Sequence, residues 1–448
     1  MNRRNNSPRV LEPGVPVSRG GIPLCVPEIH GNEWRYIKEC LDTNFVSSVG
    51  PFVDRFERTV AAYVGTRFGV ATVNGTSALH TALLVAGVEP GDEVLVPALT
   101  FIAPANAVRY VGAWPVFIDA DSDYWQIDIQ ELRKFVIADC RFSNGTLRNR
   151  RSGRRVKAII PVHILGHPCD MEPIMNLAVQ YGLCVIEDAT ESLGAKYRGG
   201  VTEGFQTESM SRRGGVRKAD ERQNKTFWSR VGSIGHIGCF SFNGNKIITT
   251  GGGGMLTTNN ETWAERARYL TTQAKDDPTE YVHKEIGFNY RMSNLQAAMG
   301  CAQMERIDEF VCAKRRIAQN YAQWLAGCEG VKIMAEAAWA FSTCWLTTVV
   351  FEEGSGIEAR DALRQLQAGG VQARPLWQPL HLSPAHAAAS GRSCPVAETL
   401  HARALSLPSS VGLTPTAQER VVEMIWRIAK RRKSGRASFR PCVSGWLR

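Results

Sequence analysis

The 448-residue sequence lacks any apolar run long enough to cross a bilayer, which excludes a single-span or multi-span helical membrane protein. Residues 1–8 carry two arginines, but no apolar stretch follows them, so a secretory leader is not expected. None of the twelve cysteines forms a Cys-x-x-Cys pair, and no histidine cluster has zinc-ligand spacing. No metal site is therefore expected. The cysteines read as reduced, mostly buried thiols of a cytoplasmic protein, with Cys239 in the core. There is no internal repeat, which excludes a solenoid or propeller.

Acidic residues are scarce in three places. Residues 1–20 hold four Arg and one Glu, residues 199–230 hold seven basic and four acidic residues, and residues 430–448 hold seven basic residues and no acid. The chain's net charge is +10, and without these segments it is slightly negative. The basic excess thus belongs to appendages rather than to an aromatic-studded basic face, which argues against a specific nucleic-acid partner.

What is present is a sizeable core: 44% of the residues are hydrophobic. Apolar runs of strand length at 68–73, 93–96, 114–118, 156–162, 183–188 and 237–242 alternate with helical patterns at 78–86, 103–110 and 171–181. That alternation predicts an α/β domain with a mainly parallel sheet. Past residue 300 the pattern changes: a helix over 302–326, a strand over 344–351, and helices over 357–369 and 416–431 predict a smaller α+β unit. The expected organisation is a flexible segment at 1–20, a large domain at 21–300, a small domain at 301–431 and a basic tail at 432–448. Residues 199–230 show no periodicity and are expected to be a disordered surface insertion.

Ligands of parallel sheets bind beyond the carboxyl ends of the strands. Four pieces fall at such ends. Gly75-Thr76-Ser77 joins a strand to a helix start, where backbone N–H groups and the helix dipole favour a phosphate; an ordinary N-cap has the same residues. Phe101 follows the next strand and suits either stacking on a flat ring or plain core packing. Asp188 ends a buried strand and needs a cationic or N–H partner, which a protonated pyridine nitrogen supplies; an ordinary helix cap is the alternative. Lys246 follows the strand 237–242 and the turn Asn243-Gly244-Asn245, five residues after Ser241 and shortly before four glycines, Gly251 to Gly254. A lysine partly desolvated there can attack a carbonyl to form a Schiff base, whereas a lysine taken alone reads as a solvated loop residue.

The order of these pieces, with the segments 73–80, 96–103, 162–166, 187–192, 239–246 and 287–293, resembles the DegT-type (StrS-like) sugar aminotransferases among the fold type I pyridoxal-phosphate enzymes. The resemblance covers roughly residues 22–430 apart from the insertion. It implies a mainly parallel seven-stranded sheet sandwiched by helices. It also implies a role for each matching residue. Lys246 would hold pyridoxal 5'-phosphate and shuttle the proton. Asp188 would pair with the pyridine nitrogen. Thr76, Ser241 and the backbone of Gly75–Ser77 would bind the phosphate, and Phe101 would stack on the ring. Asn289 would reach the phosphate from the partner subunit, which implies a homodimer with its active site at the interface. His163 would sit near the ring or the sugar, and Arg374 and Trp377 near the nucleotide or substrate; packing roles are open for all three.

This chain departs from the pattern in carrying Glu191 where Gln is frequent, in the insertion at 199–230, and in the basic tail. Because the family includes dehydratases with histidine in place of the lysine, Lys246 implies transamination. L-glutamate is the expected donor. The expected acceptor is a nucleotide-linked keto-deoxy sugar, specifically UDP-4-keto-6-deoxy-N-acetylhexosamine, serving surface-glycan or amino-sugar biosynthesis. The competing readings are an aminotransferase acting on another keto sugar, a fold type I enzyme acting on free amino acids, and a regulatory protein that kept the fold.

Overall fold

A computed structural model describes residues 21–199, 227–277, 279–389 and 391–430. The expectations for residues 1–20 and 432–448, and for most of 199–230, lie outside the described residues. The central sheet has seven strands: β1 (Phe68–Thr72), β2 (Glu93–Pro97), β3 (Trp114–Ile118), β6 (Val156–Ile159), β7 (Cys184–Asp188), β10 (Ile237–Ser241) and β11 (Gly254–Thr258). Their order is β1-β11-β10-β7-β6-β2-β3. Six strands run parallel, and β11 is antiparallel to both of its neighbours. The strands β2 and β7 are buried at every residue, as a sheet covered by helices on both faces requires.

The helices 103–110 and 171–181 and the strand 114–118 form where periodicity predicts. The first helix after β1 starts earlier than expected, at Gly75 rather than residue 78. Asn74 is its cap: the side chain accepts the Ser77 N–H at 2.8 Å. Thr76 and Ser77 therefore stand in the first helical turn rather than in a loop.

Between β3 and β6, the strands β4 (Cys140–Ser143) and β5 (Thr146–Asn149) form a hairpin. The strands β8 (Lys196–Gly199) and β9 (Phe227–Arg230) pair antiparallel, so the expected disordered insertion is corrected at both ends. Tyr197 anchors this ribbon. It is 2% exposed, and its hydroxyl donates to Asp170 at 2.7 Å. A two-residue strand β13 (Ala340–Phe341) adds to β8.

A second, antiparallel sheet has the order β12 (Val331–Ile333), β14 (Thr348–Phe351), β16 (Ala404–Ser406), β15 (Arg374–Pro375). With helices Ala359–Ala368 and Pro415–Lys430 it encloses a separate apolar cluster that includes Tyr321, Val349, Phe351, Leu366, Leu405 and Ile425. Ile22 belongs to this cluster, and its N–H donates to Gly370 at 2.8 Å. Leu376, Leu380 and Leu400 pack into the large core instead. The two cores thus exchange short pieces of chain.

Two expectations past residue 300 are corrected. The helix over 302–326 is two helices, Asn294–Met304 and Ile307–Trp324. The first opens with a Ser293–Gln296 capping box, and Glu305 at the joint accepts from Asn32 and Tyr36. The strand over 344–351 begins only at Thr348, because Cys344 has a left-handed φ of 51° and the Trp345 N–H bonds Leu165. Among the described residues no helix is long and apolar enough to cross a membrane, and no cysteine is disulfide-bonded.

Candidate active site

The six parallel strands end on one edge of the sheet, and the loops leaving β1, β2, β6, β7 and β10 carry the residues singled out above. Register aligns them: Thr72 and Ser241 both face Gly254, and Cys239 faces Asp188. Gly254, the last glycine of the run and the first residue of β11, serves the protein's own backbone. A Cβ on Gly254 would sit 2.4 Å from the Asn74 carbonyl oxygen, so only glycine lets β11 slot between β1 and β10 at the foot of the helix.

Lys246 lies past the turn after β10. Its side chain is 14% exposed, its Nζ is 3.3 Å from Glu191 Oε1 and lies 4.2 Å from the centre of the Trp345 ring. Trp345 in turn donates its Nε1–H to the Asn245 carbonyl at 2.6 Å, which fixes the turn carrying the lysine. Beneath it, Phe242 packs edge-on against Phe56 at 5.0 Å. Both rings are fully buried, contributing roughly 1.5–3 kcal/mol each.

Glu191 is 5% exposed, and its second carboxylate oxygen accepts the Leu165 N–H at 2.8 Å. Burial pushes its carboxyl above the usual range, with Lys246 pulling the other way. Asp188 is 2% exposed and accepts the Thr190 N–H at 3.1 Å. Burial raises its carboxyl too, and Lys246 offsets this from beyond contact distance. Among the described residues no Lys, Arg or His pairs with Asp188 within 4 Å.

Gly75, Thr76 and Ser77 open the helix after β1. Among the described residues the hydroxyls of Thr76, Ser77 and Ser241 have no hydrogen-bond partner. A Cβ on Gly75 would meet Ser241 Cβ at 2.8 Å and Thr190 Cγ2 at 3.2 Å, so the helix start, β10 and the Asp188 loop converge on one point. Phe101 is 56% exposed beyond β2 and is not part of the core.

Asn289 is exposed on a segment that flanks the helix start of its own chain. Its backbone bridges Thr272, and the next residue, Tyr290, accepts the Val73 N–H at 2.8 Å. His163 is corrected as a sugar contact. It is fully buried, its Nδ1 accepts the Cys169 N–H at 3.0 Å, and its Nε2 faces Glu187 at 3.0 Å, so neither ring nitrogen is left for a ligand. Arg374 is exposed on the edge strand β15, and Trp377 is half-buried against the large core. Neither bonds to Lys246, Asp188 or Glu191.

Two residues were missed by sequence reasoning. Trp345 carried no signal beyond an apolar run. Glu187 is adjacent to Asp188, and strand alternation sends it to the opposite face, a signal that was available. It is fully buried and accepts N–H groups from Gly232 and Ile234 at 2.7 Å and from Gly235 at 2.5 Å. It therefore fastens the chain returning from β9 to β10, the strand that leads to Lys246.

This residue set fits pyridoxal phosphate: a buried carboxylate without a cation for the pyridine nitrogen, free hydroxyls at a helix N-terminus for the phosphate, and an amine between them. Comparison with known proteins agrees. Residues 27–426 match the model of the DegT/DnrJ/EryC1/StrS aminotransferase family. A GDP-perosamine synthase of Caulobacter vibrioides is 38% identical over 403 residues, covering 90% of this chain and 96% of that protein. One from Escherichia coli O157:H7 is 36% identical, covering 88% and 94%. The crystal structure of DesV from S. venezuelae superposes with a TM-score of 0.75 at 29% identity, covering 89% of this chain and 95% of that one. The chain belongs to the DegT/DnrJ/EryC1/StrS aminotransferase family, whose cofactor is pyridoxal phosphate.

Proposed function

We propose that the chain transfers the amino group of L-glutamate to the keto carbon of a nucleotide-linked keto-deoxy sugar. The observation that carries this reading is Lys246 held against Glu191 beside the cation-free carboxylate of Asp188. Pyridoxal phosphate, when bound, supplies an electron sink for the carbon that loses its proton. Lys246 would anchor it and would remove a proton from the donor's carbon in one half-reaction and return one to the acceptor's keto carbon in the other. Asp188 would keep the pyridine nitrogen protonated. The Gly75–Ser77 backbone with the Thr76 and Ser241 hydroxyls would take the phosphate, and Phe101 would lie beside the ring. Glu191 holds Lys246 in reach. Arg374 and Trp377 remain assigned to the substrate side, as residues to be tested.

The working unit is a homodimer in which Asn289 of one copy reaches the phosphate of the other. Tyr281 and Ile286, on the same segment as Asn289, are 68% and 86% exposed, which supports a surface made to be covered. The acceptor sugar is UDP-4-keto-6-deoxy-N-acetylhexosamine or a GDP-linked keto sugar. The relatives named GDP-perosamine synthase favour the second.

The test is a panel of UDP- and GDP-linked keto sugars with glutamate, read by product mass. A mass change of keto to amine on one nucleotide series is expected. Lys246→Ala should abolish it and remove the yellow, borohydride-sensitive absorbance. A protein that takes up no pyridoxal phosphate, or that turns over free keto acids without any nucleotide sugar, refutes the reading. A monomer in solution refutes the shared site.

A further inference from the structure

The turn between β5 and β6 packs five arginines into eight residues: Arg148, Arg150, Arg151, Arg154 and Arg155. Arg155 meets the carboxylates of Asp92 at 2.6 Å and Glu89 at 3.0 Å. Among the described residues the other four have no acid within 4 Å. Arg148 and Arg150 donate to the backbone carbonyls of Gly153 and Cys140. Arg154 lies 4.4 Å from the centre of the Trp114 ring, which also carries Arg109 at 4.0 Å. The aromatic ring therefore fixes the direction of a guanidinium that no carboxylate holds.

Arg150, Arg151 and Arg154 border a cleft of about 600 Å³. Val116, Phe117 and Phe135 line its floor, and Arg150, Arg151, Arg154 and Arg392 line its walls. Its acids are already engaged. Glu93 takes bonds from Asn149 at 2.9 Å and Ser152 at 2.6 Å, and Asp139 pairs with Arg392 at 2.5 Å. The far wall is shaped to let Arg151 approach: a Cβ on Gly391 would come 3.1 Å from its Nη1. Glu93 and Trp114 are the first residues of β2 and β3. The cleft thus lies toward the amino ends of the strands at the β3 edge of the sheet, whereas Lys246 lies beyond their carboxyl ends.

Guanidinium groups held together without carboxylates repel one another, and an anion placed among them relieves that repulsion. Their planar forks match phosphate oxygens in pairs. An apolar floor beside them suits the base or sugar of the same ligand, and the volume lies in the range of small-molecule pockets. We propose that this cleft is a second, non-catalytic binding site for a nucleoside diphosphate, free or sugar-linked. Arg150, Arg151 and Arg154 grip the phosphates, and the floor takes the remainder of the molecule.

The experiment is amide hydrogen exchange on the cofactor-loaded full chain with UDP, GDP or inorganic pyrophosphate. It is repeated with the double variant Arg151→Glu/Arg154→Glu and the milder Arg151→Ala. Nucleotide also enters the catalytic site, so the readout is confined to peptides covering residues 140–155. Slowed exchange there is expected with UDP or GDP, with affinity weakened about tenfold or more by the charge reversals, while turnover of the sugar substrate is retained. Protection by UDP but not GDP, or the reverse, identifies the base that the floor accepts. The proposal is overturned if no phosphate ligand protects these peptides, if protection survives in the double variant, or if only long polyanions such as duplex DNA protect them. Loss of turnover in Lys246→Ala with protection intact separates this site from the catalytic one.

Discussion

Replacing Asp188 by Asn should have opposite effects with and without the cofactor. In the cofactor-free protein the carboxylate is 2% exposed, accepts the Thr190 N–H at 3.1 Å and a bond from its side chain, and among the described residues has no cation in contact. An ionised carboxylate buried this way costs several kcal/mol after relaxation, offset in part by Thr190 and the more distant Lys246. An Asn Oδ1 keeps the Thr190 bond and removes the charge, so the cofactor-free variant should be more stable than the parent by about 1–2 kcal/mol at neutral pH. The pH dependence follows from the direction of the shift. Burial raises the Asp188 carboxyl above the usual carboxylate range, so the folded state binds a proton more tightly than the unfolded state. Its contribution is fully favourable below the usual range and is lost as pH rises through the raised value; that slope should vanish in the Asn variant. With pyridoxal phosphate the sign reverses. Removing one partner of a buried ion pair costs about 3–5 kcal/mol, or on the order of 10²- to 10⁴-fold in cofactor affinity. Urea melts of both forms and an absorbance titration with pyridoxal phosphate measure the two effects. A variant less stable than the parent without cofactor, yet binding it within twofold of parental affinity, refutes the reasoning.

Three further changes probe the surroundings. Gly75→Ala places a methyl 2.8 Å from Ser241 Cβ, where the phosphate is proposed to sit; cofactor affinity should fall at least about tenfold, read by titration, and the cofactor-free protein should lose about 1–3 kcal/mol in urea from the overpacking. Glu191→Gln removes a carboxyl raised by burial, whose charged form arises only as pH climbs through that raised value and then pairs with Lys246 at 3.3 Å; the acid limb of kcat/KM against pH should lose that inflection, and superimposable profiles would count against the pairing. Glu57 is 5% exposed, accepts the Ala71 N–H at 2.8 Å and pairs with Arg268 and Arg291; Glu57→Gln should cost about 2–4 kcal/mol of stability in urea with the cofactor site intact.

The strands and helices that frame the site were legible because each is a short periodic run closed by a turn, as at residues 103–110, 114–118 and 171–181. Lys246, Asp188, Glu191 and Gly75 were legible because each follows a strand end, where a parallel sheet exposes its loops. What escaped is tertiary. Nothing local says that Trp345, about a hundred residues after Lys246, lies against its Nζ, or that the Arg154 guanidinium would rest on Trp114 and not in water. Glu187 sits beside Asp188 on one buried strand; alternation separates their faces, but only the packed structure shows that Glu187 gathers the N–H groups of Gly232, Ile234 and Gly235. The helix boundary at Gly75 turned on a single side-chain bond from Asn74, below the resolution of periodicity.

The two carboxylates nearest Lys246 are not equivalent, and the difference orients whatever binds there. Glu191 touches the amine, whereas Asp188 is buried in the sheet with Thr190 as its hydrogen-bond partner. At the other end of the site stand a helix N-terminus and three hydroxyls without partners among the described residues, which attract negative charge. One end lacks a cation and the other lacks an anion. A purely anionic ligand satisfies the helix end and worsens the carboxylate end; a purely cationic one does the reverse. A flat molecule with a protonatable ring nitrogen at one end and a phosphate at the other would satisfy both, in one direction only. Residues 232–235, which lead into β10, are fastened by Glu187 before the chain reaches Ser241 and the lysine.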